Sequence, residues 1–416
     1  MSVRLGGGVL AAAMMAGCGG GGFGGPSGLP QLGTEYQANE TTVLDQQRPR
    51  VARNAAGQAM VVWESLQQDG GYFDIHARRF ADGEPVGSEF KVNSTTAGRQ
   101  NFGAVALDAV GNSVVVWRSS LQDGPGGTIY GQRFAADGSR VGGEFQIGPS
   151  SSDFDSQSEP RVAMNAAGRF AVVWSNREIT QLAILLGRND IEQRMVQVRV
   201  FDPDGSPVTD IVDVVGPTTA ATVRAPDIGI ADDGRFAVTW ISSGSPNGIR
   251  VRSFAADGSP TSGDTQVDIT RNEAAPDFPA LSMNAAGRFV VVWEAMTFGY
   301  QPLGVFGRLY EGDADSPLGP ERLLSAPALG LLERVSVSLS ADGRFALAGS
   351  GDDAVSVASF GADGTLGRFS KLSNAGFASL FGAVALASDG RATVTWNSLG
   401  QDGDGRGVFV RDVSVE

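Results

Sequence analysis

Apolar residues fall in two arrangements along this chain. One is a short stretch in which apolar and polar positions alternate. The other is an unbroken apolar run that closes on a tryptophan, as in Asn165-Ala-Ala-Gly-Arg-Phe-Ala-Val-Val-Trp174. Alternation predicts a strand with one face buried, and a continuous run predicts a strand covered on both faces. The turn-plus-run unit recurs at Asn54–Trp63, Asp108–Trp117, Ala231–Trp240, Asn284–Trp293, Ser340–Gly349 and Ala387–Trp396. In all seven copies the turn glycine stands six residues before the tryptophan position. The sixth copy carries Gly349 there, and the other six copies account for all six tryptophans in the chain.

The third copy shows four segments: Arg161–Asn165, Arg169–Trp174, Val196–Phe201 and Asp210–Val214. The third segment ends in Asp202-Pro-Asp-Gly205, and matching endings occur at Asp82-Gly83, Asp137-Gly138, Asp257-Gly258 and Asp363-Gly364. Asp-Gly supplies the left-handed backbone that a tight hairpin requires. Four hairpin-linked strands repeated seven times predict an all-β fold, a seven-bladed β-propeller of four-stranded antiparallel blades. One column of the first segment is large (Val51, Val105, Val162, Ile228, Leu281, Val337, Val384), and the next is small (Ala52, Ala106, Ala163, Gly229, Ser282, Ser338, Ala385). Such pairing suits inner strands that converge on an axis. Arg53 interrupts the following apolar column and is expected to reach the central channel or an edge. The seventh copy ends at Val408–Val413 without a fourth segment, so Thr34–Ala38 is expected to complete the last blade.

At these residues the chain resembles a bacterial family of envelope and secreted proteins. Its repeats run proline, Val-Ala-Met, a glycine turn, Phe-Val-Val-Val-Trp, Gln-Asp-Gly, Gln-Arg-Phe-Asp-x-x-Gly and Glu-Phe-x-Val-Asn. The match spans residues 33–416, and it implies a propeller in surface or adhesion contexts with no common activity.

The amino-terminal pattern adds an address. Val9–Ala16 is too short to span a bilayer but suits the apolar core of an export signal. Met15-Ala-Gly-Cys18 resembles the lipobox of bacterial lipoproteins, which implies a signal peptide over residues 1–17 and a lipidated Cys18. Residues 18–32, rich in glycine, read as a flexible tether to the propeller at 33–416. The resemblance implies a membrane anchor through Cys18 at the outer membrane or cell surface. A net charge of −14 and a pI near 4.6 argue against a nucleic-acid partner. The folded unit is expected to be a monomer.

Candidate chemistry is sparse. His76 is the only histidine, no Gly-x-Ser-x-Gly elbow accompanies it, and clustered zinc ligands are lacking. The Trp-to-Gly spacing of six also departs from the sialidase Asp-box. Gln-Asp-Gly recurs in three loops at Asp69, Asp123 and Asp402, with Asp404 at an alternate position after the last. Asp402 and Asp404 are therefore candidate calcium ligands, with a plain hairpin turn as the competing reading. Asp69, Asp123, Tyr72, Phe298 and Tyr300 fall in variable loops and nominate a binding face, and Phe154 is a further loop aromatic. The long loop Ser175–Arg194, with its apolar Leu182–Leu186 run, is expected to pack on the ring or meet a partner. The resulting expectation is a lipid-anchored, non-enzymatic module for envelope protein or glycan partners. The alternative is a carbohydrate-active hydrolase or lyase using carboxylates on the variable-loop face, since that chemistry needs only two acids.

Overall fold

The computed structural model describes residues 31–66, 72–124, 126–150, 156–179, 192–244, 247–269, 274–297, 302–325, 333–351, 354–373 and 377–415. Within them the chain forms twenty-eight strands, β1 to β28, from Gln31–Gln37 (β1) to Arg406–Ser414 (β28). They pair into four-stranded antiparallel sheets. Two of these sheets are joined into one by a single parallel bridge, Ser156 to Gly127.

The first strands of successive units are β2 (Gln46–Arg53), β6 (Gln100–Leu107), β10 (Ser156–Met164), β14 (Ala221–Ile230), β18 (Ala274–Met283), β22 (Glu333–Leu339) and β26 (Ser379–Leu386). Each packs on the next in that order, and β26 packs on β2. The large-then-small columns lie on these strands. Space at the small column is tight: a Cβ on Gly229 would lie 2.6 Å from the Met283 Cβ. The seven turn glycines all adopt left-handed φ, from 77° at Gly390 to 99° at Gly111, which explains why glycine recurs there.

The apolar runs form the second strands, and all six tryptophans are at most 1% exposed. The core lies between adjacent sheets. Trp117 packs against Met60, Val62 and Ile75 of the preceding unit, and Trp240 against Val196, Val198 and Val200. Within sheets, rings at the ends of neighbouring strands stack with nearly parallel planes, Phe236 on Phe254 with centroids 4.9 Å apart and Phe289 on Tyr310 at 4.6 Å. Each pair adds about 1 kcal/mol beyond area burial.

The seam follows the expectation and extends it. The orphan segment, β1, pairs antiparallel with β28, Tyr36 opposite Val410 and Gln37 opposite Phe409. Ala38 then joins Trp63, Phe80, Val408 and Val410 in one buried cluster between the first and last units. Arg53 is turned to this seam. Its Nη1 lies 2.8 Å from Asp412 Oδ2, and both side chains are buried. The loop after Trp174 begins as an extended hairpin whose arms pair as far as Ile179 and Glu192. Leu182–Leu186 lies outside the described residues, as do residues 1–30 with Cys18.

Candidate functional site

Every first strand breaks its register at one place. The shifts fall between Gln47 and Arg50, Asn101 and Ala104, Ser158 and Arg161, Arg224 and Asp227, Asp277 and Ala280, Glu333 and Ser336, and Leu380 and Ala383. Within each bulge one non-glycine residue takes left-handed φ between 46° and 59°: Arg48, Arg334, Phe102, Phe278, Phe381, Glu159 and Ala225. Such a conformation costs roughly 1–3 kcal/mol per residue and persists only where the surroundings impose it. Bulges re-aim side chains, and these seven residues line one central cavity of about 530 Å³.

Carboxylates hold several bulges in place. Glu64, which directly follows Trp63 and is 1% exposed, accepts the Phe102 N–H of the next unit at 2.7 Å. Glu294, which follows Trp293, accepts the Val335 N–H at 3.2 Å. Glu159 accepts the Ala225 N–H at 2.8 Å and faces the Ser175 hydroxyl at 3.3 Å. One level deeper, Asp227 accepts the Leu281 N–H at 2.8 Å and its own chain's Ile228 N–H at 3.0 Å.

The cavity rim is divided by chemistry. On one side arginine and phenylalanine alternate: Arg334 lies 5.5 Å from the Phe278 centroid and 4.4 Å from Phe381, while Arg48 lies 6.0 Å from Phe381 and 5.1 Å from Phe102. On the other side stand Glu159 and Ala225, with Arg161 and Asp227 one level below and the ion pair Arg224–Asp277 at 2.9 Å nearby. Burial raises the Asp227 carboxyl above its ordinary range, against the opposing attraction of Arg161 and Arg50. By area Asp227 is only half-buried. Its place in the lining of the central cavity governs, because the surrounding protein displaces water that would solvate the anion. Burial, and secondarily the neighbouring Arg161 cation, pull Arg50 down to about 9. A carboxyl shifted upward in this way holds its proton to higher pH than an ordinary one, the direction that a proton donor at a sugar ring requires.

Of the residues nominated from the sequence, those that are described lie elsewhere. Asp69, Phe154, Phe298 and Tyr300 fall outside the described residues. Tyr72 is exposed, and Asp123 accepts from Gln146 at 3.3 Å. Asp402 accepts from Asn39 Nδ2 at 3.3 Å and Asp404 from the Leu44 N–H at 3.2 Å, so both carboxylates serve the seam. Among the described residues no group of three or more His, Cys, Asp or Glu is placed to hold a metal ion. His76 sits on the third strand of its sheet, 3.9 Å from Glu89, with burial lowering its pKa. The true lining was visible only as a column three residues before the large column. That column reads Arg, Phe, Glu, Ala, Phe, Arg, Phe, and its varied chemistry stands against the uniform positions around it.

No protein-family model and no curated protein matches the sequence. Solved structures do resemble the fold. An unknown-function protein from Dyadobacter fermentans aligns over 94% of this chain and 100% of its own, at 9% identity and TM-score 0.51. The alpha-L-arabinofuranosidase of Fusarium graminearum, solved with an iminosugar inhibitor, aligns over 94% and 99% at 12% identity and TM-score 0.50. An ulvan lyase, a polysaccharide lyase bound to -[GlcA(1-4)Rha3S]-, aligns over 94% and 96% at 9% identity and TM-score 0.51. The common architecture is a β-propeller of four-stranded blades. These likenesses overturn the expectation of a non-enzymatic binding or scaffold module. That expectation was drawn from the scarcity of histidine and cysteine. A glycoside hydrolase and a polysaccharide lyase sharing the architecture, together with the carboxylates gathered at the channel, favour the carbohydrate-active alternative.

Proposed function

We propose that the chain is a closed seven-bladed propeller that cleaves a glycan at the bulged mouth of its channel. The observation that carries this reading is the meeting of Glu159 and Asp227 with the phenylalanine faces of Phe102, Phe278 and Phe381 around one cavity. In this reading the sugar ring stacks on a phenylalanine and the glycosidic oxygen points toward the acidic side. Asp227 gives its proton to the departing oxygen. Glu159 either activates water at the anomeric carbon, giving hydrolysis, or takes a proton from the sugar carbon, giving elimination. The arabinofuranosidase and the lyase of like fold support the class of chemistry. For the anchor, the lipobox-like Met15–Cys18 supports export and attachment to a membrane, which a Cys18→Ser variant recovered in the soluble fraction would bear out.

The test is a polysaccharide panel read for new reducing ends and for the ultraviolet absorbance of unsaturated products. Turnover that drops at least about a hundredfold in Asp227→Asn and Glu159→Gln, with melting preserved, supports the assignment. No product from any neutral or acidic polysaccharide removes it.

A further inference from the structure

The protein carries a net charge of −14, yet Arg48, Arg50, Arg161 and Arg334 all line its channel, and Arg224 adjoins the lining residue Ala225. Structural ion pairing does not account for this concentration. Arg224 is matched by Asp277 and Arg48 approaches Glu64 at 3.4 Å. The other three form no ion pair among the described residues. The hydrogen bonds of Arg50 and Arg161 go to the carbonyls of their own preceding prolines, Pro49 and Pro160. Arg334 is exposed and rests only on the rings of Phe278 and Phe381. Asp227 attracts Arg50 and Arg161 only from beyond ion-pair distance, so the guanidiniums around this one cavity keep N–H donors that no carboxylate among the described residues takes up directly.

From this placement we infer that the mouth recognises an acidic sugar, a hexuronate unit whose ring lies on Phe381 or Phe278 and whose carboxylate is clamped by Arg334 and the deeper arginines. A carboxylate matches the planar guanidinium fork two bonds at a time, which a neutral sugar hydroxyl does not. The acidic remainder of the surface repels a polyanionic chain, so its favourable contact is confined to this basic mouth. The inference rests on the glycan reading above for the class of ligand, but it concerns binding and does not require cleavage.

The test is calorimetric titration of the whole chain with oligogalacturonate and oligoglucuronate, alongside neutral arabino-oligosaccharides and sulfated galactan oligomers. Uronate oligomers are expected to bind, and to weaken as salt is raised. Arg334→Ala should lower that affinity about tenfold or more, and Arg334→Lys should recover only part of it, with unchanged melting. Arg161→Gln tests the deeper layer in the same way. Equal affinity for neutral oligomers, binding confined to sulfated ones, or uronate affinity indifferent to both arginine changes overturns the inference. Uronate binding without cleavage leaves it standing and removes the enzymatic reading. Cleavage of a neutral glycan without uronate binding does the reverse.

Discussion

Arg53 and Asp412 form a buried ion pair between the first full unit and the last, Nη1 to Oδ2 at 2.8 Å with side-chain exposures of 0% and 3%. Thr393 completes the group: its hydroxyl accepts from Arg53 at 2.9 Å and donates to the other Asp412 oxygen at 2.7 Å. Arg53 Nε and Nη2 are buried without partners. The pair therefore fixes which strand meets which at the seam more than it adds net stability. Removing Asp412 alone strands a buried cation. Asp412→Ala should cost about 3–5 kcal/mol in chemical denaturation, and the double variant Arg53→Met, Asp412→Leu should recover most of it. A single variant as stable as the parent would show the pair to be dispensable.

The strand β1 seals the same junction. Deleting residues 31–38 uncovers the edge of β28 and removes Ala38 from the cluster around Trp63. Exposed edges template pairing with other chains. The shortened protein is expected to melt several degrees lower and to self-associate in sedimentation analysis, and a stable monomer would contradict this account.

Asp227 supplies a pH dependence. Burial raises its folded pKa, so the protonated, donating form survives to higher pH than for an ordinary carboxyl. The step that needs this proton declines as pH rises through the raised value. The alkaline limb of kcat/KM should disappear in Asp227→Asn along with most activity. A limb that persists unchanged in the residual activity assigns the titration to another group.

Asp268 gives a stability prediction with the opposite practical use. Several units cap an N–H near the start of the third strand with a neutral side chain: Asn93 for Ile75, Ser325 for Val305, Ser373 for Val355 and Asn39 for Val408. In the fourth unit Asp268 does this for Ile249, and burial lifts its pKa from 3.8 to about 6. The folded state thus binds a proton that the unfolded state has released, so stability falls as pH rises from about 4 to 6 and stays lower above. Asp268→Asn should raise Tm by about 1 °C at pH 7.5, with the gain vanishing near pH 4. Calorimetry showing no gain, or a gain that grows on acidification, refutes the sign.

Much of this architecture was legible because each repeat solves a local problem in the same way. Gly57 and its counterparts need left-handed φ, the runs ending at Trp63 and Trp174 need cover on both faces, and Thr34–Ala38 lacked a partner that only the last unit could supply. The loops nominated at Asp402 and Asp404 were chosen for composition alone, and they turned out to stabilise the seam. Glu64 and Glu294 read as the ends of strands, since nothing local shows that they reach the bulge of the next unit.

The sequence by itself determined the repeat, the strand periods, the turns and the N-terminal closing strand, because these depend on φ preferences and on burial that recur at fixed spacing. Tertiary structure decided the site. Arg48, Phe102, Glu159, Phe278, Arg334 and Phe381 come from separate repeats and share no common side-chain type. Convergence of the inner strands on one axis brings them together, and the bulge in each strand turns them into the same cavity.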